Sequence, residues 1–110
     1  MKPDISLDLA QKQLRIAIPG DLISTSVRAL HQEIDAALMV PAGAAAPWQT
    51  ITLNLASAKM VDSMGLNLIV KILKTAQNAG ARLQIIYQNP NVHRTLVFTR
   101  LDRYADLIKG

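Results

Sequence analysis

One stretch constrains this chain more than any other. An apolar run, Ile51-Thr52-Leu53-Asn54-Leu55, leads into Met60-Val61-Asp62-Ser63-Met64-Gly65-Leu66, and an apolar pattern with helical spacing then runs from Leu66 to Ala79. The first run has the composition of a buried strand and the last the period of a helix. Asn78-Ala79-Gly80 reads as a helix stop, because glycine supplies the left-handed conformation in which helices commonly end. Arg82 to Tyr87 then reads as a further strand. A strand, helix and strand in this order imply parallel pairing and a right-handed crossover. The unit puts a small acidic residue, a hydroxyl and a glycine where a strand hands over to a helix. A side chain there projects from a rigid scaffold beside free backbone N–H groups and partial positive charge, which tolerate an anion. A serine so placed is well suited to carry a phosphate.

The flanking segments extend the unit. Ile5, Leu7 and Leu9 alternate with polar residues, as do Leu14, Ile16 and Ile18, which predicts two half-buried strands. Ala10 to Gln13 suits a hairpin connection, although no glycine marks the turn. Pro19-Gly20 ends the second strand, and Ser24 or Thr25 can cap a helix carrying Val27, Leu30, Ile34, Ala37 and Leu38. Pro41-Ala42-Gly43-Ala44-Ala45-Ala46-Pro47 is a low-complexity loop. The third strand is Thr50 to Leu55, Ser57-Ala58-Lys59 is a short crossing, and the central helix runs from Ser63 to Ala79. After Asn89-Pro90, Asn91 can cap a short helix through Phe98, and Leu101 and Tyr104 read as anchors of a last strand or edge. The expected fold class is α/β: an antiparallel N-terminal hairpin, then parallel β-α-β units, forming one mixed sheet with packed helices. The 110 residues suit a single domain, 1–110.

Composition narrows the function. Without cysteine there is no disulfide framework and no thiolate chemistry. No apolar run approaches the roughly 18 residues of a membrane span, so no membrane insertion is expected, and Met1-Lys2-Pro3-Asp4 lacks the apolar core of a signal peptide. The expected location is cytoplasmic. The net charge of +4 is spread along the chain, and Trp48, Tyr87, Phe98 and Tyr104 form no stacking platform in sequence, which argues against a nucleic-acid partner. His31 and His93 lack metal-ligand spacing. With no Walker-type loop and no His/Asp/Ser arrangement, an enzyme is the weakest class, and no cofactor or metal is expected.

With Asp62-Ser63-Met64-Gly65-Leu66 after its third strand, the chain resembles the STAS family, the sulfate transporter and anti-sigma factor antagonist domain, over nearly its whole length. Gly20-Asp21-Leu22 is similar to the family's short signature after strand two, and Val61 through Leu66 to its phosphorylation loop, usually Asp-Ser-Ser-Gly-Leu. Asn78-Ala79-Gly80-Ala81 and the Asn91 to Leu101 stretch also match the family's layout. The resemblance implies that Ser63 is the phosphate acceptor and that the partner is an anti-sigma factor that is also a serine kinase and brings its own ATP and magnesium. Met64 departs from the pattern, because it removes the second hydroxyl. The chain also stops short of the last helix of many members. A rival expectation from the same resemblance is an accessory subunit that binds the ATPase of a membrane lipid ABC transporter. A nucleotide- or lipid-ligand sensor is a third.

Within the site, Asp62 reads as the helix N-cap and Gly65 as a point of close backbone approach. At about 100° per residue, Leu66, Ile69, Val70, Leu73 and Ala76 form the core face of the central helix, with Asn67, Lys71, Lys74 and Asn78 opposite. Met64, Leu68 and Ile72 form a second apolar stripe. That stripe either packs on a neighbouring helix or, together with Lys71, binds the partner.

Overall fold

The structure is a computed structural model that describes residues 2–110. Its elements are β1 (Asp4–Asp8), β2 (Gln13–Ala17), α1 (Ser24–Leu38), β3 (Thr50–Leu55), α2 (Ser63–Asn78), β4 (Arg82–Tyr87), α3 (Pro90–Phe98), a 3-10 turn over Leu101–Arg103 and β5 (Asp106–Lys109). The sheet order is β1-β2-β3-β4-β5, antiparallel between β1 and β2 and parallel elsewhere. The mixed sheet expected from the sequence is present.

Every crossover advances the sheet in the same direction. Right-handed connections must then place α1, α2 and α3 on one face. The strands record this in their alternation: Ile51, Leu53 and Leu55 of β3, and Leu83 and Ile85 of β4, are buried under the helices. Their neighbours Thr50, Thr52, Asn54, Arg82 and Gln84 point the other way. That second face carries no helix and is held by polar contacts. Gln13 Nε2 donates to Thr52 Oγ1 at 2.6 Å, and Thr52 Oγ1 donates to Gln84 Oε1 at 3.2 Å, linking three strands. On the covered face, Leu30 and Ile34 of α1, Ile69, Ile72 and Ala76 of α2, and Val92 and Leu96 of α3 complete the core. Trp48 is buried where the chain returns from the Pro41–Pro47 loop.

Several local expectations are corrected. The hairpin needs no glycine because Lys12 takes the left-handed conformation, at φ 52°, and Asp8 Oδ1 accepts from Ala10 and Gln11 N–H. Leu9 lies in that turn and is exposed. Helix α3 is capped by Asn89, whose side chain accepts from Asn91 N–H, with Pro90 at the first helical position where its missing N–H costs nothing. Leu101 is buried, but Tyr104 is exposed and anchors no strand; β5 begins two residues later. The α2 stop is as expected. Gly80 sits at φ 68°, and Ala81 N–H reaches Ala76 O at 2.8 Å.

On α2 the structure decides between the two readings of the second apolar stripe, in favour of packing on a neighbouring helix, and corrects the core face. Leu68 and Ile72, expected to be open to a partner or covered by a neighbouring helix, are 5% and 0% exposed, while Leu66 and Val70 of the expected core face are only half-buried. The reason is that α1 packs beside α2. Lys71 Nζ of α2 lies 2.7 Å from Asp35 Oδ1 of α1, so the flank of α2 carrying Leu68 and Ile72 faces its neighbour. Leu68→Asp therefore places an unpaired charge in the core and is expected to cost several kcal/mol, about 3 or more. Thermal denaturation checks it. A melting temperature close to wild type would contradict the packing.

Candidate functional site

The site forms where the segments after β2 and β3 leave the sheet side by side. The parallel ladder continues past the strands: Ile18 N–H donates to Asn54 O at 3.0 Å, Leu22 N–H to Met60 O at 3.0 Å and Asp62 N–H to Leu22 O at 3.2 Å, with Leu22 and Val61 forming an isolated parallel bridge. Leu22 and Val61 are buried and fasten this extension to the core.

Two aspartates then tie the segments together reciprocally. Asp21 Oδ1, on the first segment, accepts from Lys59 N–H at 2.7 Å and Met60 N–H at 3.3 Å on the second. Asp62, on the second, reaches back. Its Oδ2 accepts from Ser24 N–H at 2.8 Å, the first residue of α1, while its Oδ1 accepts from Gly65 N–H at 2.9 Å in α2. One carboxylate thus caps two helices, its own and one whose first residue lies 38 positions back in sequence. Neither Ser24 nor Thr25 caps α1. Instead Ser26 Oγ accepts from Ile23 N–H at 2.9 Å and donates to Asp21 O at 2.7 Å.

Gly65 lets α2 come this close. A β-carbon there would fall onto the Leu22 carbonyl oxygen, inside any permitted contact, and would also press on Val61 Cγ1. Its φ is not positive, so the glycine is required by the approach rather than by conformation.

Ser63 is the first residue of α2 and is exposed, and its hydroxyl makes no hydrogen bond among the described residues. Met64 is 43% exposed beside it. Of the residues singled out from the sequence, Asp62, Ser63, Met64 and Gly65 are together at this start. Leu68 and Lys71 lie one and two turns further along, and Ile72 is sealed in the core. Beyond Met64, a groove of about 310 Å³ between α1 and α2 is lined by Val27, Arg28, His31, Met64, Asn67, Leu68 and Lys71. Its floor is apolar and its rim basic. Sequence reasoning missed Asp21 as a tie and Arg28 and His31 as rim residues, because all three act across elements that no local pattern connects.

The Gly65 N–H holds the Asp62 carboxyl below the usual carboxylate range; partial desolvation opposes it, and the Ser24 and Met64 N–H groups add to it. A depressed folded-state pKa contributes stability that is present above the unfolded value, about 3.9, and is lost as pH falls through the folded value. Asp62→Asn keeps one acceptor oxygen but loses the charge. Its melting temperature is expected to lie below wild type at neutral pH, with the gap closing below about pH 4. Melting curves across pH check this, and a gap that persists unchanged at low pH would contradict it.

Solved structures share the fold, among them three related to anti-sigma factor antagonists. One is a candidate anti-sigma factor antagonist from Thermotoga maritima, 22% identical, covering 98% of this chain and 86% of that one with a TM-score of 0.78. The others are the anti-sigma factor antagonist SpoIIAA unphosphorylated, at 15% identity, coverages of 98% and 88% and a TM-score of 0.71, and the Bacillus cell-fate determinant SpoIIAA phosphorylated, at 17% identity, coverages of 98% and 90% and a TM-score of 0.70. No curated protein matches the chain by sequence. The family model described as "Mlab, STAS domain" matches residues 5–109. With that match spanning nearly every residue, and with the fold shared with anti-sigma factor antagonists, the chain belongs to the STAS domain family.

Proposed function

We propose that this protein is an anti-sigma factor antagonist whose binding to an anti-sigma factor is switched by phosphorylation of Ser63. The observation that carries the reading is Ser63 itself: an exposed, unbonded hydroxyl on the first turn of α2, held on a loop pair that the Asp21 and Asp62 carboxylates tie together. Among the described residues no group of histidine and carboxylate side chains could hold a metal ion. The kinase partner would bring ATP and magnesium, and this protein would supply the acceptor hydroxyl.

The physical chemistry favours a switch at the contact rather than in the fold. Phosphate adds about −1.5 to −2 charges. At a helix N-terminus the dipole offsets that charge, so α2 keeps its structure. Release of the partner would come from bulk, desolvation and repulsion of acidic partner groups. The unmodified contact surface would be Met64, Lys71 and the groove with Leu68 at its floor. Exposed methionine adapts to varied partners, and Arg28, His31 and Lys71 give the rim its basic character.

A second reading is an accessory subunit binding the ATPase of a membrane lipid transporter. It is kept because the matching family model is described as Mlab rather than named for antagonists. No helix of the structure is long and apolar enough to cross a membrane, so such a subunit would dock on its complex rather than span the bilayer.

The test is to incubate the protein with kinase-type anti-sigma factors from the same genome and ATP, followed by intact-mass and peptide mapping. One phosphate is expected, on Ser63. Ser63→Ala should bind constitutively and cost about 0.5 kcal/mol or less, as an exposed residue without hydrogen bonds. Ser63→Asp should fold normally and lose most binding. Equal binding by all three proteins with no phosphate added would move the assignment to the transporter subunit.

A further inference from the structure

At the opposite end of the molecule the chain exposes what it elsewhere buries. Phe98, the one phenylalanine of the sequence, is 87% exposed, with Val97 at 42% and Tyr104 at 63%. They flank the turn where the chain leaves α3, with Arg100 in the left-handed conformation at φ 63°. Arg94 precedes Phe98 by one helical turn and so shares its side of α3. Arg94, Arg100 and Arg103 are all exposed, and none joins an ion pair among the described residues. Asp102 is the one acidic residue between Arg94 and Tyr104, so the corner is net positive.

Part of the polar surface of this corner is bonded within the chain. Thr99 N–H donates to Thr95 O at 3.1 Å and Arg100 N–H to Val97 O at 3.0 Å. Thr99 Oγ1 donates to Thr95 O at 2.8 Å and Thr95 Oγ1 to Asn91 O at 3.0 Å. Arg103 and Tyr104 N–H groups donate to Arg100 O and Leu101 O. These N–H groups and the Thr95 and Thr99 hydroxyls keep their partners when they leave water, which lowers the cost of entering an apolar boundary, while the Tyr104 hydroxyl stays at the polar side. An apolar tip ringed by unpaired guanidinium groups matches the boundary of a bilayer that bears anionic lipid.

We propose that the Val97–Phe98 corner, with Arg94, Arg100 and Arg103, docks the protein reversibly on an anionic lipid surface. Helix α3 starts beside the end of β4 and runs back along the sheet, and a cleft joins Arg103 and Tyr104 to Arg82 at the start of β4. The corner is therefore remote from Ser63, which follows the far end of β3, and docking leaves Ser63 open to its partner. This inference stands independently of the assignment of Ser63.

The test is co-sedimentation of the full chain with phosphatidylcholine vesicles, with and without phosphatidylglycerol. Binding is expected with the anionic vesicles alone, falling as salt is raised because the attraction is screened. Phe98→Ser should reduce the bound fraction several-fold, and Arg94→Gln and Arg103→Gln should each weaken binding about fivefold. All three sites are exposed, so unchanged melting curves control for folding. Wild-type protein left in the supernatant with both vesicle types would overturn the proposal, as would equal sedimentation of the variants. A gel shift of a single-stranded oligonucleotide, or a concentration-dependent dimer, that is lost in Phe98→Ser while vesicles bind nothing would overturn it in favour of nucleic acid or a second copy.

Discussion

Everything at the candidate site depends on the paired carboxylates of Asp21 and Asp62. Each sits on one of two adjacent segments and accepts N–H groups from the other. Hydrogen bonds to an ionised acceptor are about twice as strong as neutral ones. Those accepted by Asp62 also satisfy donors that helix starts otherwise leave orphaned. The result is that α1 and α2 begin at the same place, their N-termini converging on the Asp62 carboxylate. Gly65 permits the approach by leaving room for the Leu22 carbonyl. Ser63 lies between these constraints but is not consumed by them. It is fixed in position by neighbours and free in its own chemistry, which is the condition for an acceptor site that can be modified without unfolding its support.

The same economy governs the sheet. Strands that advance in one direction with right-handed crossovers gather all the helices on one face. Core formation is therefore concentrated between that face and three helices, and α1 and α2 must also pack against each other. This lateral contact explains why Leu68 and Ile72 are buried. The partner surface we propose is then what rises above the seam: Met64, Lys71 and the rim contributed by Arg28 and His31. It also explains why the helix-free face is knit by Gln13, Thr52 and Gln84 instead of by apolar packing.

The sequence carried the fold well, because the signals that set it are local. Period-two runs point to β1 and β2, an apolar run to β3, the Gly80 stop closes α2 ahead of β4, and the β-α-β order dictates parallel pairing. In the site, the positions of Asp62, Ser63 and Gly65 were also legible, since a strand-to-helix handover constrains its own residues. What was not legible depends on tertiary contact. A helical wheel shows that α2 has a wide apolar arc but not which flank meets α1, so Leu68 and Ile72 were open to two readings. The second role of Asp62 and the whole role of Asp21 join residues 38 positions apart, which no window of sequence spans. The cap of α1 was sought in Ser24 or Thr25 because local hydroxyls are the usual caps, whereas here a distant carboxylate does that work. Phe98 reads in sequence only as the end of a short helix, and its exposure depends on what the rest of the fold brings to that end, which no local pattern shows.

The central claim, that one Asp62 carboxylate holds both helix starts and so fixes the Ser63 loop, is tested most directly by an amide NMR titration from neutral to acid pH. The Ser24 and Gly65 amide protons should move together, with a common midpoint below the usual carboxylate value of about 3.9, and both responses should vanish in Asp62→Asn. A Ser24 amide that ignores the titration, or a midpoint different from that of Gly65, would show that the two helices do not share the carboxylate and would contradict the account.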